Sequence, residues 1–170
     1  MSKGLRTAAL QADVARARLT QAGLPTEMRT SWGTYLVEPA PSGLRMTAEA
    51  PTLARLFIDA ARAMTDQLGQ AKLPRAGEAR QVSVVAATAD QLLAAWLGEI
   101  LYCARETRHL FGTINIRRIS SGHLRAELRD ELETRWSIDP ASIAVADARV
   151  AAVSDPPGQR FVAHIRLAMK

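Results

Sequence analysis

The sequence has a single cysteine, no glycine-rich phosphate-binding motif and no long apolar stretch, and each of these absences excludes a class of protein. Cys103 is the only cysteine among 170 residues, so neither an intramolecular disulfide nor a multi-cysteine zinc site is available. The glycines form neither a G-x-G-x-x-G nor a P-loop sequence, which excludes those two phosphate-binding loops. The longest apolar stretch, residues 92–104, is too short for a membrane span and contains Glu99. We therefore expect a cytoplasmic protein without membrane contact.

The remaining composition is that of a globular domain rich in arginine. Hydrophobic residues make up 48% and charged residues 23%, so a packed core is expected. Only three of the 22 basic residues are lysine. The net charge of +5 is uneven, because residues 1–31 contain five basic and two acidic residues. The rest is nearly neutral, so net charge alone is a weak argument for nucleic-acid binding.

The chain is predicted to divide into an N-terminal helical extension, residues 1–31, and a main domain, residues 32–170. Ala, Leu, Gln and Arg dominate residues 5–22, and Gly23 and Pro25 then end the helix. Its apolar stripe is too thin to dominate a core. We expect this helix to dock on the domain or to pair with a second copy, which would make a homo-oligomer.

Hydrophobic periodicity in the main domain predicts two helices among strands. The helices begin after Thr52 and Thr88, which are good N-cap residues. The predicted strands and loops, in chain order, are a strand at 33–37, a proline interruption at 38–43, a strand at 44–50, a loop at 69–80, a strand at 81–87, a hairpin of 110–119 with 123–131 and a hairpin of 143–153 with 160–169. This order predicts an α+β fold with two helices on one face of a mostly antiparallel sheet.

The first helix is distinguished by its charged face and the second by its apolar stripe. In the first, charges of opposite sign alternate at Arg55, Asp59, Arg62 and Asp66, three or four residues apart. We interpret them as solvated ion pairs rather than a catalytic carboxylate pair. In the second, Trp96 lies in the middle of a wide apolar stripe and is predicted to be a core residue.

Groups that could carry catalysis are scattered along the sequence. His109, His123 and His164 lie on separate predicted elements without metal-ligand spacing. Cys103 lies near an apolar stripe, where a thiol behaves as a small hydrophobic group, and no base is marked that would make it a nucleophile. We therefore predict no catalytic residues, no cofactor-binding residues and no enzyme activity.

The densest basic stretch offers a candidate nucleic-acid contact. Guanidinium groups bind phosphate in a bidentate geometry, so RNA contact is one interpretation. A solvated rim is the other, because aromatic residues that could stack on bases are sparse here. The four candidate residues are Arg105, Arg108, Arg117 and Arg118.

Two helical strings resemble the archease family, and the similarity extends from about Tyr35 to the C-terminus. Residues 52–64, T-L-A-R-L-F-I-D-A-A-R-A-M, resemble the family's T-L-E-E-A-F helix that ends in A-A-R-A-M. Residues 92–102, L-L-A-A-W-L-G-E-I-L-Y, resemble its L-L-x-x-W-L-x-E-L-L-Y helix, and residues 152–154 fall where it has A-V-T. The resemblance implies an α+β, non-enzymatic accessory protein of RNA processing. Its implied protein partner is the tRNA-splicing RNA ligase, which archeases activate, or a tRNA-modifying enzyme, which they serve in a chaperone-like way.

The resemblance also implies a position for a metal site, and there this sequence departs from the family. The family's two acidic metal-ligand positions fall on Pro41 and Ala168, and a strand lysine falls on Ala151. Proline and alanine side chains offer no anionic oxygen, which divalent metals require. Glu38 is the weak candidate that remains near the first position, and Asp155 is another acid that could rebuild a centre. We expect no cofactor unless the site is rebuilt, and a diverged accessory role; a functioning ligase activator is the alternative.

Deletion of the extension is a first test. We expect removal of residues 1–31 to leave the domain folded and to change its oligomeric state or partner binding, because an isolated helix of this length usually needs packing to persist. Light scattering and thermal melting of the two forms measure both properties. Loss of folding would contradict the assignment by showing that the segment belongs to the core.

Overall fold

A computed structural model describes residues 26–30, 33–71, 76–131, 134–155 and 158–170 of the chain. The helix predicted for residues 5–22 lies outside these residues. The described residues form two long helices among strands, with one 3₁₀ turn, Pro140–Ser142, so the α+β class is confirmed. The division at residues 31 and 32 stays a prediction, although strand β1 (Thr26–Thr30) lies on its N-terminal side.

The larger sheet has five antiparallel strands, namely β1 and the strands β2 (Gly33–Ala40), β3 (Gly43–Ala50), β9 (Ile143–Asp155) and β10 (Gly158–Met169). Their order across the sheet is β1-β2-β3-β10-β9. Apolar side chains alternate inward along β3 and β10, as predicted. The inward residues that are buried include Met46, Ala48, Ala163, Ile165 and Leu167. Because successive side chains of a strand point to opposite faces, the polar residues between them lie on the solvent face.

Strand β2 runs through Pro39, where the sequence analysis predicted an interruption. Strand β1 pairs with residues 33–37 of β2, so β2 is an edge on that side beyond Val37. Proline is tolerated at an edge because its missing N–H leaves no neighbouring strand without a donor. The proline signal therefore marked an edge rather than the end of the strand.

The second sheet has three antiparallel strands in the order β5-β7-β6. They are β5 (Ala76–Val85), β6 (Leu110–Ile119) and β7 (His123–Glu131), and the hairpin of β6 and β7 has its predicted bounds. A short ladder joins β4 (Gly69–Ala71) to β8 (Thr134–Trp136). The loop predicted for residues 69–80 was therefore wrong in part, because pairing with distant strands supplies hydrogen bonds that local glycine and proline signals do not reveal.

Helices α1 (Leu53–Leu68) and α2 (Ala89–Thr107) begin where the sequence predicts. The Thr52 and Thr88 hydroxyl oxygens each accept a hydrogen bond of 3.2 Å from the backbone N–H three residues later. Helix α1 contacts β3 and β6, while α2 contacts β9 and β5, so each helix packs on both larger sheets. Neither of these helices is long and apolar enough to cross a membrane.

The core lies where the helices meet the inner faces of the two larger sheets. Trp96 is fully buried, and its indole Nε1–H donates a hydrogen bond of 3.1 Å to the backbone carbonyl of Phe57. This bond joins α2 to α1. The apolar stripe predicted for α2 is buried throughout, at Leu92, Leu93, Trp96, Leu97, Ile100, Leu101 and Ala104.

The charged ladder of α1 differs from its prediction. Asp59 is only 3% exposed, so the interpretation of a solvated ladder was wrong at this position. The Arg55 Nε lies 3.1 Å from the Asp59 Oδ1 and holds the carboxylate in place. Burial raises the pKa of the Asp59 carboxyl, although the guanidinium of Arg55 opposes that shift. Asp66, two turns further along the same face of the helix, instead accepts a hydrogen bond of 2.7 Å from the Tyr35 hydroxyl.

Truncation of Trp96 tests this core. We expect Trp96→Ala to lower the free energy of unfolding by about 3–5 kcal/mol, because it opens a large cavity. Tyr102→Ala, on the exposed side of the same helix, is the matched control and should change stability by less than about 0.5 kcal/mol. Urea unfolding of both variants measures the difference, and equal effects would contradict the packing described above.

Asp59 predicts a pH dependence. A raised pKa means that the folded state keeps a proton that the unfolded chain releases, so stability falls as pH rises between the two pKa values. The cost of the buried carboxylate is full above the folded-state pKa and disappears below the ordinary one. Relative to Asp59→Asn, wild-type protein should therefore gain stability as the pH is lowered from 7 towards 4.

Urea unfolding across that pH range measures this difference. Glu106→Gln removes one negative charge from an exposed position on α2 and is the control. A difference between wild type and Asp59→Asn that is constant with pH, or that follows Glu106→Gln, would contradict the assignment.

Candidate functional site

The structure brings the two departures from the family's metal site to one corner of the five-stranded sheet. Pro41 and Ser42 form the turn that joins β2 to β3, and Ala168 lies opposite Gly43 near the end of β10. The backbone N–H of Met169 donates a hydrogen bond of 2.8 Å to the Ser42 carbonyl. Positions that are distant in the sequence therefore meet through strand pairing.

This corner is held by a close backbone approach at Gly43. A Cβ at that position would lie 1.9 Å from the Leu167 carbonyl oxygen, so no side chain fits there without a shift of the backbone. The residue also has φ +158, at the margin of the region that favours glycine. The approach of β10 to the turn thus depends on the absence of a side chain at this position.

The side chains around the corner do not fit a divalent metal. Glu38, the remaining acidic candidate, pairs in register with Arg45, which in turn pairs with Arg166. A carboxylate beside guanidinium groups meets cations rather than further anionic ligands. Within the ranges that the structure describes, no three His, Cys, Asp or Glu side chains lie where they could share a metal ion. Ala151, the position of the family's lysine, lies opposite Val162 and is exposed.

Two of the four arginines predicted to contact nucleic acid lie at the C-terminal end of helix α2, Arg105 in its last turn and Arg108 as its C-cap. Arg108 takes the left-handed conformation with φ 57 after the last turn. Its guanidinium lies 3.4 Å from the Asp139 carboxylate and 5.5 Å from the centre of the Trp136 ring. A backbone hydrogen bond from Ala141, and then Arg108, lower the pKa of the Asp139 carboxyl. Arg105 is half-buried, and its Nε is enclosed without a hydrogen-bond partner.

The other two lie on β6, in the three-stranded sheet. Arg118 pairs in register with Arg125 of β7, and the register shifts between Ile116 and Arg118, so Arg117 occupies a β-bulge. The Arg117 Nη2 lies 3.3 Å from the Glu127 Oε2. The structure thus separates the four candidates into a helix-end pair and a strand pair.

Sequence reasoning missed two arginines that share the face of the strand pair. Arg125 and Arg129 alternate with the buried apolar residues of β7, so their side chains lie on the outer face of the sheet. The signal that could have found them was present in the alternation of residues 124–129. That alternation places Arg125 and Arg129 on one face of β7, and the hairpin brings Arg117 and Arg118 beside them.

Histidine and cysteine side chains lie apart in the described structure. His109 lies 3.8 Å from Asp130, His123 lies 3.3 Å from the Ser83 hydroxyl, and His164 lies 3.4 Å from the Thr47 hydroxyl. Each is on a different strand or strand end. None of these pairs includes a second histidine or a thiol. The three histidines therefore make the single polar contacts that are typical of surface histidines.

Cys103 is buried, as predicted for a structural thiol. Burial, followed by the nearby Glu99 carboxylate, raises the pKa of the Cys103 thiol. Arg80 opposes the shift from 3.9 Å away. A protonated buried thiol is a poor nucleophile.

An open cavity of about 300 Å³ lies between the first turn of α2 and β9. Asp90 lines it, but its Oδ1 already accepts a hydrogen bond of 2.7 Å from the backbone N–H of Val150. Asp147 and Arg149, also in the lining, pair with each other at 3.4 Å. Asp90 therefore holds the helix to the strand, whereas Asp147 and Arg149 pair with each other within β9.

Comparison with known proteins now gives the family. The model of the Archease protein family (MTH1598/TM1083) matches residues 38–152. The solution structure of protein 1598 of Methanobacterium thermoautotrophicum has the same fold, with a TM-score of 0.55 and 19% sequence identity over 80% of this chain and 98% of that one. A comparison with curated proteins finds no match. Because the family model covers more than half of its length, this chain belongs to the archease family.

Proposed function

We propose that this chain is a non-catalytic accessory protein of RNA processing, which acts in the cytoplasm by binding a protein partner. Membership of the archease family supports the link to RNA processing. The buried, protonated Cys103 and the separated histidines support a role without catalysis. The partner class that the family suggests is an RNA ligase or a tRNA-modifying enzyme.

The observation that carries this proposal is the corner formed by Pro41, Ser42 and Ala168. The resemblance implies metal-ligand carboxylates at the first and last of these positions, whereas here the corner presents a proline and an alanine beside a Glu38–Arg45–Arg166 row. Guanidinium groups next to the remaining carboxylate repel a cation. We infer an accessory role that is independent of metal at this corner.

A second candidate, a metal-dependent ligase activator, rests on Glu38 alone. Glu38 is half-buried three residues before the turn and pairs in register with Arg45. One carboxylate rarely makes a divalent site, because calcium takes six to eight oxygen ligands and magnesium six. The observations therefore favour the metal-independent role.

Affinity capture tests the proposed partner. The full chain, tagged and expressed in its own cells, is expected to retain an RNA ligase or a tRNA-modifying enzyme, identified by mass spectrometry and confirmed by pull-down with purified components. A complex that survives EDTA is the expected result. Capture of no RNA-processing enzyme, or release of the enzyme by EDTA, would contradict the proposal.

Metal titration is an independent prediction. Calorimetry of wild-type protein with calcium, magnesium or manganese should show no micromolar site, because Pro41 and Ala168 supply no ligand. The double variant Pro41→Asp with Ala168→Asp should gain binding, since it places two carboxylates at one corner. Micromolar binding by wild type that disappears in Glu38→Gln would show a rebuilt centre and overturn the metal-independent role.

A further inference from the structure

The outer face of the three-stranded sheet carries an unusual concentration of arginine. We call this surface the arginine face and define it by Arg117, Arg118, Arg125 and Arg129 around Glu127. Neutral polar residues surround these side chains and are exposed, namely Gln81, Ser83 and Asn115. The arginine face therefore carries four guanidinium groups and one carboxylate, on the side of the sheet opposite the helices.

Glu127 organises half of this charge. Its carboxylate lies 3.3 Å from the Arg117 Nη2 and 3.7 Å from the Arg129 Nη2, and it accepts a hydrogen bond of 3.0 Å from Gln81. Hydrogen bonds from Gln81 and then Arg117 lower the pKa of the Glu127 carboxyl, so it stays ionised at neutral pH. Both arginines remain about half exposed, at 59% and 42%, and keep donors directed at solvent.

Arg118 and Arg125 are the two arginines of this face whose positive charges are not neutralised by Glu127. They are direct cross-strand neighbours, an arrangement in which like charges repel. Both are exposed, and neither pairs with an acidic side chain in the described part of the chain. The bulge at Arg117 sets the register that places them opposite each other. A multivalent anion bound across both residues would remove the repulsion.

The chemistry of the face favours a phosphate backbone over an acidic protein. Guanidinium groups bind phosphate oxygens in a bidentate geometry, and the amide and hydroxyl groups around them suit sugar and phosphate oxygens. Protein interfaces usually depend on aromatic or large apolar anchors, whereas the exposed large apolar residue on this sheet is Val85, at its edge. Among its described residues the face has no Phe, Tyr or Trp side chain on which an unpaired base could stack, and the His123 imidazole lies at its end, 3.3 Å from the Ser83 hydroxyl.

The five-stranded sheet provides a contrast within the same molecule. Its outer face also has a cross-strand arginine pair, Arg45 with Arg166. There, however, Glu38 and Asp147 flank the pair in register on the two neighbouring strands. The charge on that face is therefore largely balanced, and it does not present the same field to a polyanion.

We propose that the arginine face binds the ribose-phosphate backbone of base-paired RNA, with Arg118 and Arg125 as its principal contacts. This proposal deepens the accessory role in RNA processing and rests on it for the choice of RNA. Backbone recognition of an A-form helix needs charge and hydrogen-bond donors but no base stacking, which is what this face offers. The accessory protein would then hold the RNA as well as its protein partner.

Fluorescence anisotropy with the full chain tests the proposal. The probe is a labelled RNA hairpin with a stem of about 16 base pairs, the length that a double-strand-binding domain spans. The double variant Arg118→Ser with Arg125→Ser should bind about tenfold more weakly, and the slope of log affinity against log salt should fall by about two, one for each lost phosphate contact. Circular dichroism melts check that the variant is folded.

The matched control is the double variant Arg45→Ser with Arg166→Ser, which removes the same charge from the five-stranded sheet. Both double variants keep the basic residues 1–31, so that segment contributes equally to both measurements. Its affinity should stay within about twofold of wild type. Equal losses in the two double variants would attribute binding to net charge and overturn the proposal. Absence of RNA binding by wild type, equally tight binding of an unpaired RNA of the same length, or binding of polyglutamate in place of RNA through Arg118 and Arg125 would also overturn it.

Because this assay uses the purified chain alone, its outcome is separate from that of partner capture. If the enzyme partner is captured but the hairpin does not bind, the proposal for the arginine face is wrong and the accessory role is retained. If the hairpin binds at the arginine face but no enzyme is captured, the proposed partner is wrong and the RNA-binding surface is retained.

Discussion

The buried contact between Trp96 and the Phe57 carbonyl is the interaction on which the rest of the fold depends. It joins α2 to α1 in the centre of the core, where the indole finds a hydrogen-bond partner without leaving apolar surroundings. Each helix then packs on both larger sheets, so the helix pair connects sheets that share no ladder. With the helices fixed between them, the two larger sheets turn their outer faces to solvent.

The two outer faces have different electrostatic characters, although both carry cross-strand arginine pairs. On the five-stranded sheet, acidic residues continue the row on either side of Arg45 and Arg166. On the three-stranded sheet, Glu127 forms ion pairs with Arg117 and Arg129, while Arg118 and Arg125 form none among the residues that the structure describes. A net charge of +5 on the chain conceals this difference, because ligands respond to local potential rather than to the total.

The corner at Pro41 separates what the backbone fixes from what the side chains supply. Gly43 allows β10 to approach the turn, and the Met169 N–H seals the contact with the Ser42 carbonyl. These are backbone requirements, and they are met whatever side chains stand at Pro41 and Ala168. Metal binding is a property of side chains, so the strand pairing that builds this corner does not depend on it.

The sequence by itself determined the local features of this protein. Threonine caps, the apolar stripe of α2 and the alternation of β3, β7 and β10 depend on neighbours within a few residues, and each was predictable. The family could also be identified from the sequence, because two helical segments preserve its residue pattern.

Only the tertiary structure decided which distant residues share a surface. The burial of Asp59 depends on what packs over α1, and the persistence of β2 through Pro39 depends on where β1 ends. The arginine face required the register of β6 on β7, which a bulge shifts, to bring Arg118 opposite Arg125. Sequence periodicity fixes the face of a strand on which a side chain lies, but pairing partners and register follow from long-range contacts that local patterns do not encode.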